Sequence, residues 1–183
     1  MFRLISAHRL DQEKWRDLII WWLTHPDTQP YLQQWLISYD IYGDWSMKAD
    51  IQRLNTLYPW AIRYHGYLPL DQIIAKPMEY DFILMPSHFL ETFWLTALDF
   101  AQFWVPTIGF QKWWLKQFVS EYCAIPEWPP ETVQDRFNTH LMKIMNDVLN
   151  KKIPSWWVDK KHIQKTYGTQ QWLNHFTSLL PHQ

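Results

Sequence analysis

Short apolar runs alternate with stretches of helical period along most of this chain, and that alternation limits the possible folds more than any other feature. The first run, Phe2–Ala7 (FRLISA), is largely apolar, and residues 11–23 come next with Trp15, Leu18, Ile19, Trp22 and Leu23 at helical spacing. Residues 36–42 (LISYDIY) read as a strand ended by Gly43-Asp44, and 46–58 repeat the helical period through Met47, Ile51, Leu54 and Leu57. A strand at 61–65, a short helix at 70–75 and a strand at 80–85 (YDFILM), stopped by Pro86, continue the pattern. Next come a helix over 91–103, a brief strand at 107–109, a short helix at 114–120 and a strand around 122–125. Pro129-Pro130 introduces a helix over 131–150, and 169–180 reads as a closing helix. Strands alternating with helices imply βαβ units and a parallel sheet. Because the strands are apolar runs rather than alternating ones, both faces of that sheet should be covered. The expected fold is therefore α/β, a doubly wound parallel sheet, as one domain over residues 1–183. No internal repeat or low-complexity linker interrupts it. In such sheets ligands bind outside the carboxyl ends of the strands, so the residues just after each strand are the ones to read.

Charge and cysteine content remove several function classes. Lys and Arg number 17 against 18 Asp and Glu, which gives no broad cationic surface for nucleic acid. The single cysteine, Cys123, excludes an internal disulfide and reads as a small buried hydrophobe. The first nine residues hold Arg3 and Arg9 and no long apolar core, so no secretory signal is expected. The apolar run 18–23 is far too short to span a bilayer. A cytoplasmic protein is the expectation, with room for peripheral membrane contact.

After the first strand comes His8-Arg9-Leu10-Asp11-Gln12-Glu13-Lys14. Arg9 and Lys14 stand at a strand end and the start of a helix, where cations and free backbone N–H groups can meet a diphosphate; alone, such a pair is more often a solvated surface pair. After the strand at 80–85 come Glu91 and Asp99, eight residues apart. On a helix that spacing sets them about 80° apart in azimuth and about 12 Å apart along the axis, so they can reach different parts of one ligand. His88 and Glu91 have the spacing of a metal pair but no third ligand, so no metal is expected. His8 reads equally as a ligand contact or a strand-end residue. The Trp21-Trp22 and Trp156-Trp157 pairs could stack on sugars, although core packing accounts for most such aromatics.

Taken together, these segments resemble a known family. The stretch PSHFLETFWLTALDFAQFWVPTIGFQKWWLKQFV is similar to the core signature of the glycosyltransferase group 1 family, retaining enzymes of the GT-B fold. That signature runs Pro-Ser, Glu-x-Phe-Gly-x-x-x-x-Glu, Gly-x-Pro-x-Ile and a Gly-Gly pair. SAHRLDQEKW resembles the family's Gly-Arg-Leu-x-x-x-Lys-Gly segment, IYGDWSMKADIQRL its Gly-Asp-Gly segment, and IRYHGYLPLDQI its base-side strand and loop. The matches fall in family order from Phe2 to about Val119. The resemblance implies a Rossmann-like domain, the C-terminal, nucleotide-sugar-binding half of a GT-B fold. It implies that Arg9 and Lys14 hold the donor diphosphate and that Glu91 stands at the donor sugar and its reacting end. Asp99, one methylene shorter than the family's Glu, falls at the ribose position. The backbone of Phe93, Trp94 and Leu95 matches the helix start that meets sugar and phosphate, and Gly66, Tyr67 and Leu68 match the loop beside the nucleobase. No cofactor is implied, since the nucleotide-sugar is a substrate.

The departures from the family share one form. Trp15, Trp45, Trp94, Trp104, Trp113 and Trp114 all stand where the family has glycine, and none is replaced by Ala or Ser. The chain has 14 Trp and 4 Gly, whereas a usual glycine share of about 7% predicts roughly 13. Our reading is that these six are glycines, from a source that reassigns a stop codon to glycine, decoded as if the codon meant tryptophan. The competing reading keeps them as genuine tryptophans of a decayed homologue.

The function implied by the resemblance is transfer of a sugar from a nucleotide-activated donor to an acceptor hydroxyl, with retention. Met1 falls at about the start of the second GT-B domain, so the N-terminal acceptor domain is expected to be missing from this chain. Its partner would be that domain or a subunit supplying it, and the chain alone is expected to be inactive. The alternative is a catalytically silent nucleotide-binding or interaction module of the same fold. Another GT-B member, such as an epimerase acting on nucleotide sugars, lacks support from the Arg-Leu-x-x-x-Lys and Glu-x7-acid pattern.

Overall fold

The computed structural model describes residues 1–7, 16–43, 48–73, 79–86, 95–101, 105–110, 119–126 and 132–152. Six strands build one parallel sheet: β1 (Phe2–Ala7), β2 (Ile37–Tyr42), β3 (Ile62–Gly66), β4 (Phe82–Met85), β5 (Thr107–Phe110) and β6 (Ala124–Ile125). Their order is β3-β2-β1-β4-β5-β6. The helices are α1 (Arg16–Thr24), α2 (Gln29–Gln33), α3 (Lys48–Leu57), α4 (Leu70–Ile73), α5 (Leu95–Ala101) and α6 (Val133–Leu149). The doubly wound parallel sheet expected from the apolar runs is what forms.

Strand growth runs outward from β1 through β2 to β3, then restarts at β4 on the other side of β1. Right-handed crossovers therefore place α1 and α3 on one face and α5 on the opposite one. Register separates the two faces. Leu4 lies opposite Tyr39 and Phe82, and Ile5 opposite Asp40 and Ile83. On the Leu4 face the indole of Trp22 from α1 meets the Tyr39 ring edge-on, with centroids 6.3 Å apart. α6 packs back against α1 and β1, and the Tyr31 hydroxyl donates to Asn146 Oδ1 at 3.1 Å. Trp22, Tyr39, Phe2, Phe82, Phe100, Phe110 and Phe137 are fully buried and make up much of the core volume. Burying a large apolar side chain contributes about 1.5–3 kcal/mol, so these aromatics and the more numerous buried Leu, Ile and Val side chains together supply the main stabilisation of the fold.

The strands begin and end within two residues of the expected bounds. The helix α2 is not among the expected elements, although Thr28-Gln29-Pro30 carries its start: proline sits in the first turn, where its missing N–H is no loss. Residues 119 and 120 are not helical, and the rest of the short helix expected at 114–120 lies outside the described residues, as does the closing helix at 169–180. Cys123 is fully buried, and burial pushes its thiol up to about 12, against a hydrogen bond with Ser120 that lowers it. It is the inert small hydrophobe that the sequence suggests. No helix among the described residues is long and apolar enough to cross a membrane.

Candidate functional site

All six strands are parallel, so their carboxyl ends share one edge of the sheet. β1 leaves that edge at Ala7 and β4 at Met85, and these two neighbours flank the point where strand order reverses. A reversal splays the two outgoing connections to opposite faces and opens a crevice, the usual ligand position in such sheets. Ser6 ties the two strands together just below it. Its Oγ donates to the Leu84 carbonyl at 2.6 Å and lies 2.7 Å from the Tyr39 hydroxyl, which can donate to it in turn. All three side chains are buried, and burial raises the Tyr39 phenol well above its ordinary value although the Ser6 bond works against it.

The sequence-derived candidates fall into two groups. Arg9, Lys14, Glu91, Phe93 and Trp94 lie outside the described residues, as do Trp15, Trp45, Trp104, Trp113 and Trp114. Leu95 opens α5, and Asp99 lies one turn further along it, partly buried. That burial raises the Asp99 carboxyl above its usual range. Gly66 closes β3 at φ +68, in the left-handed region that glycine enters without a Cβ penalty. Tyr67 beyond it is 74% exposed, whereas Leu68 packs against the core. Among the described residues no three His, Cys, Asp or Glu side chains are grouped to hold a metal ion.

One cluster at this end escapes a reading of the sequence alone. Asp40 on β2 is buried, and its carboxylate accepts Arg63 Nε at 2.8 Å, Arg63 Nη2 at 2.5 Å and His65 Nε2 at 2.5 Å. Arg63 Nη2 also donates to Ser38 Oγ at 2.7 Å. The His65 ring stacks on Tyr42, with centroids 4.4 Å apart and planes 11° apart. Burial alone would raise the Asp40 carboxyl, but the bonds from His65 and Arg63 outweigh it and hold the group below the usual carboxylate range. Burial lifts the neighbouring Tyr80 phenol, and the negative Asp40 beside it adds to the effect. The signal is present in the sequence as alternation: Ser38, Asp40 and Tyr42 occupy every second position, as do Arg63 and His65. The apolar content of these runs hides it.

A folded-state value below the unfolded one means that Asp40 contributes stability above the unfolded pKa, about 3.9. That contribution is lost as pH falls through the folded value. Asp40→Asn is therefore expected to destabilise the protein near neutrality and to flatten the acid side of its stability profile. Urea midpoints measured from about pH 2 to 6 check this, and parallel profiles for both proteins would contradict it.

No family model matches the chain, and no curated protein does either. Solved structures do. The pneumococcal O-GlcNAc transferase GtfA, in complex with UDP and GlcNAc, superposes with a TM-score of 0.72 at 20% identity, over 97% of this chain and 35% of that one. The catalytic domain of cholesterol-alpha-glucosyltransferase from Helicobacter pylori gives 0.60 at 11% identity, covering 95% of this chain and 98% of that one. Anabaena Alr3699/HepE, in complex with UDP and glucose, gives 0.56 at 14% identity, over 97% of this chain and 48% of that one. The chain thus spans about a third of the GtfA chain and about half of the HepE chain. These likenesses show the fold: an open, parallel, doubly wound sheet of the kind found in the C-terminal domain of GT-B glycosyltransferases.

Proposed function

We propose that this chain is the donor-binding domain of a retaining glycosyltransferase that takes its sugar from a nucleoside diphosphate. The observation that carries the reading is the reversal of strand order between β1 and β4. The two segments most like the family signature, Arg9 to Lys14 and Glu91 to Asp99, each come after one of the two strands that flank it. The pneumococcal and Anabaena proteins of like fold are in complex with UDP, which supports a nucleotide as the ligand class.

On this reading Arg9 and Lys14 neutralise the departing diphosphate through charge-assisted bonds, with backbone N–H groups near Phe93, Trp94 and Leu95 adding to them. Glu91 stands at the donor sugar, Asp99 at the ribose, and Gly66, Tyr67 and Leu68 beside the base. The sugar passes through an oxocarbenium-like state, and the acceptor hydroxyl comes from a second domain. In a form carrying glycine at the six suspect tryptophan positions, Arg9→Ala is expected to weaken binding of uridine diphosphate by about 1.5–3 kcal/mol. Calorimetry showing equal affinity for the two proteins would remove Arg9 from the site. A silent interaction module predicts no nucleotide binding in the same titration.

The isolated chain is expected to transfer no sugar, although slow donor hydrolysis can occur. Positioning an acceptor against the reacting carbon accounts for roughly 7–11 kcal/mol of a barrier, and a lone donor domain lacks the means to do so. Robust transfer by the purified chain would contradict the two-domain reading.

A further inference from the structure

β3 carries a bulge next to the proposed base-side loop. Ile41 pairs with Tyr64 but Tyr42 pairs with Gly66, so His65 is the extra residue in β3. A bulge leaves one residue outside the ladder, bends the strand and re-aims the chain beyond it. Here the extra residue is held from two sides: its Nε2 lies 2.5 Å from the buried Asp40 carboxylate, and its ring lies flat on Tyr42. Arg63 occupies the remaining carboxylate oxygen, so both Asp40 oxygens are engaged by residues of β3. Directly after the bulge the backbone turns. Gly66 takes φ +68, the Gly43 N–H donates to the Gly66 carbonyl at 2.8 Å, and the Tyr64 hydroxyl donates to the Gly43 carbonyl at 3.0 Å. The exits of β2 and β3 are therefore clipped to each other, and the bulge sets where Gly66 leaves the sheet.

We propose that Asp40 and His65 are positioning residues for nucleoside recognition: by pinning the β3 bulge they set the course of Gly66, Tyr67 and Leu68. This rests on the donor-site reading above, and it assigns the two side chains no contact with the ligand. His65 is 33% exposed at its side chain and Arg63 40%, so neither is needed to fill the core. The stabilising member of the network is the buried Asp40 carboxylate, and the half-open His65 contact adds little stability by itself. Its geometric effect falls on the loop beyond the bulge.

The test compares uridine diphosphate with inorganic pyrophosphate as probes, in the chain as written and in its six-glycine form. His65→Ala is expected to weaken uridine diphosphate binding at least fivefold and to leave pyrophosphate affinity unchanged, since only the nucleoside meets the base-side loop. His65→Gln keeps an N–H at the position of Nε2 and should restore most of the loss. Asp40→Asn should behave like His65→Ala, and melting curves accompany every variant. Equal uridine diphosphate affinity for His65→Ala and its parent overturns the proposal, as does a parallel loss of both probes, which marks a general structural role. If neither parent form binds uridine diphosphate, the donor-site reading fails first and the positioning role with it.

Discussion

A form of the protein with glycine in place of Trp15, Trp45, Trp94, Trp104, Trp113 and Trp114 is expected to melt higher and to bind uridine diphosphate more tightly than the chain as written. On the family resemblance, the glycines at these positions fall in turns between strands and helices, where left-handed backbone or close approach is required. A side chain forced into the left-handed region costs on the order of 1–2 kcal/mol per residue. Several such sites are a large fraction of a total stability of about 5–15 kcal/mol. The expectation opposes the usual rule, by which truncating a buried aromatic costs about 3–5 kcal/mol. Trp35 shows the conflict within the described residues. It lies just past the end of α2 at φ 59, with Trp35 N–H donating to the Leu32 carbonyl at 3.2 Å and Leu36 N–H to the Tyr31 carbonyl at 2.9 Å. This helix closure usually has glycine at the left-handed position. Lys151 closes α6 in the same way at φ 56, so the closure tolerates a side chain at a cost. The Trp35 ring is 63% exposed and stacks on Trp60 at 5.7 Å. Losing that stack, worth about 0.5–1.5 kcal/mol, nearly cancels the backbone relief at this one position. Position 35 is therefore a check on decoding rather than on energy. Peptide masses from the protein in its natural source should show glycine at the six positions, and position 35 is the seventh to inspect. Ordinary tryptophan codons in the gene would end the decoding idea. A less stable all-glycine form that binds no better would show that the tryptophans belong to the fold.

Gly109→Ala is expected to destabilise the fold by about 2–3 kcal/mol, a fall in melting temperature of roughly 4–12 °C. Gly109 sits inside β5, between β4 and β6. A Cβ built there would stand 2.6 Å from the Met85 carbonyl oxygen, closer than real contacts allow. The obstacle is backbone in a paired strand, so relief requires β4 to shift rather than a side chain to turn aside. Gly66 offers the contrast. Nothing lies within 4 Å of a Cβ at that position, and only its φ of +68 resists a side chain. Gly66→Ala should cost no more than about 1–2 kcal/mol. Denaturant curves on both variants separate the effects, and a Gly109→Ala loss below that of Gly66→Ala would show that β4 moves freely.

Much of the fold is legible in the sequence because strand and helix periods are local properties. FRLISA, LISYDIY and YDFILM announce strands through a few consecutive apolar residues, and each strand forms within two residues of its expected bounds. α2 is not legible, because five residues are too few to display a helical period. The candidate site is legible only as segments. Arg9, Lys14 and Glu91 stand out through likeness to a family, and nothing in their spacing alone distinguishes a diphosphate site from a charged surface. Asp40 does not stand out, because a carboxylate within an apolar strand looks like an exception until its partners are known.

What the sequence determined by itself, then, is the set of elements and their kind, since hydrophobic period and turn residues act over a few positions. It also determined the order in which the proposed donor-site segments succeed the strands. Tertiary structure alone decided which strands became neighbours. The placement of β4 beside β1 rather than beside β3 creates the reversal, and it depends on crossover handedness and on burial of Phe82 and Leu84 against the Leu4 face. The Asp40 bonds to Arg63 and His65 span 23 and 25 residues, and the Ser6 bond to Leu84 spans 78. Such contacts arise from register between strands, and in a sheet a shift of one residue sends every side chain to the other face. No local pattern carries that information; it exists only once the strands have paired.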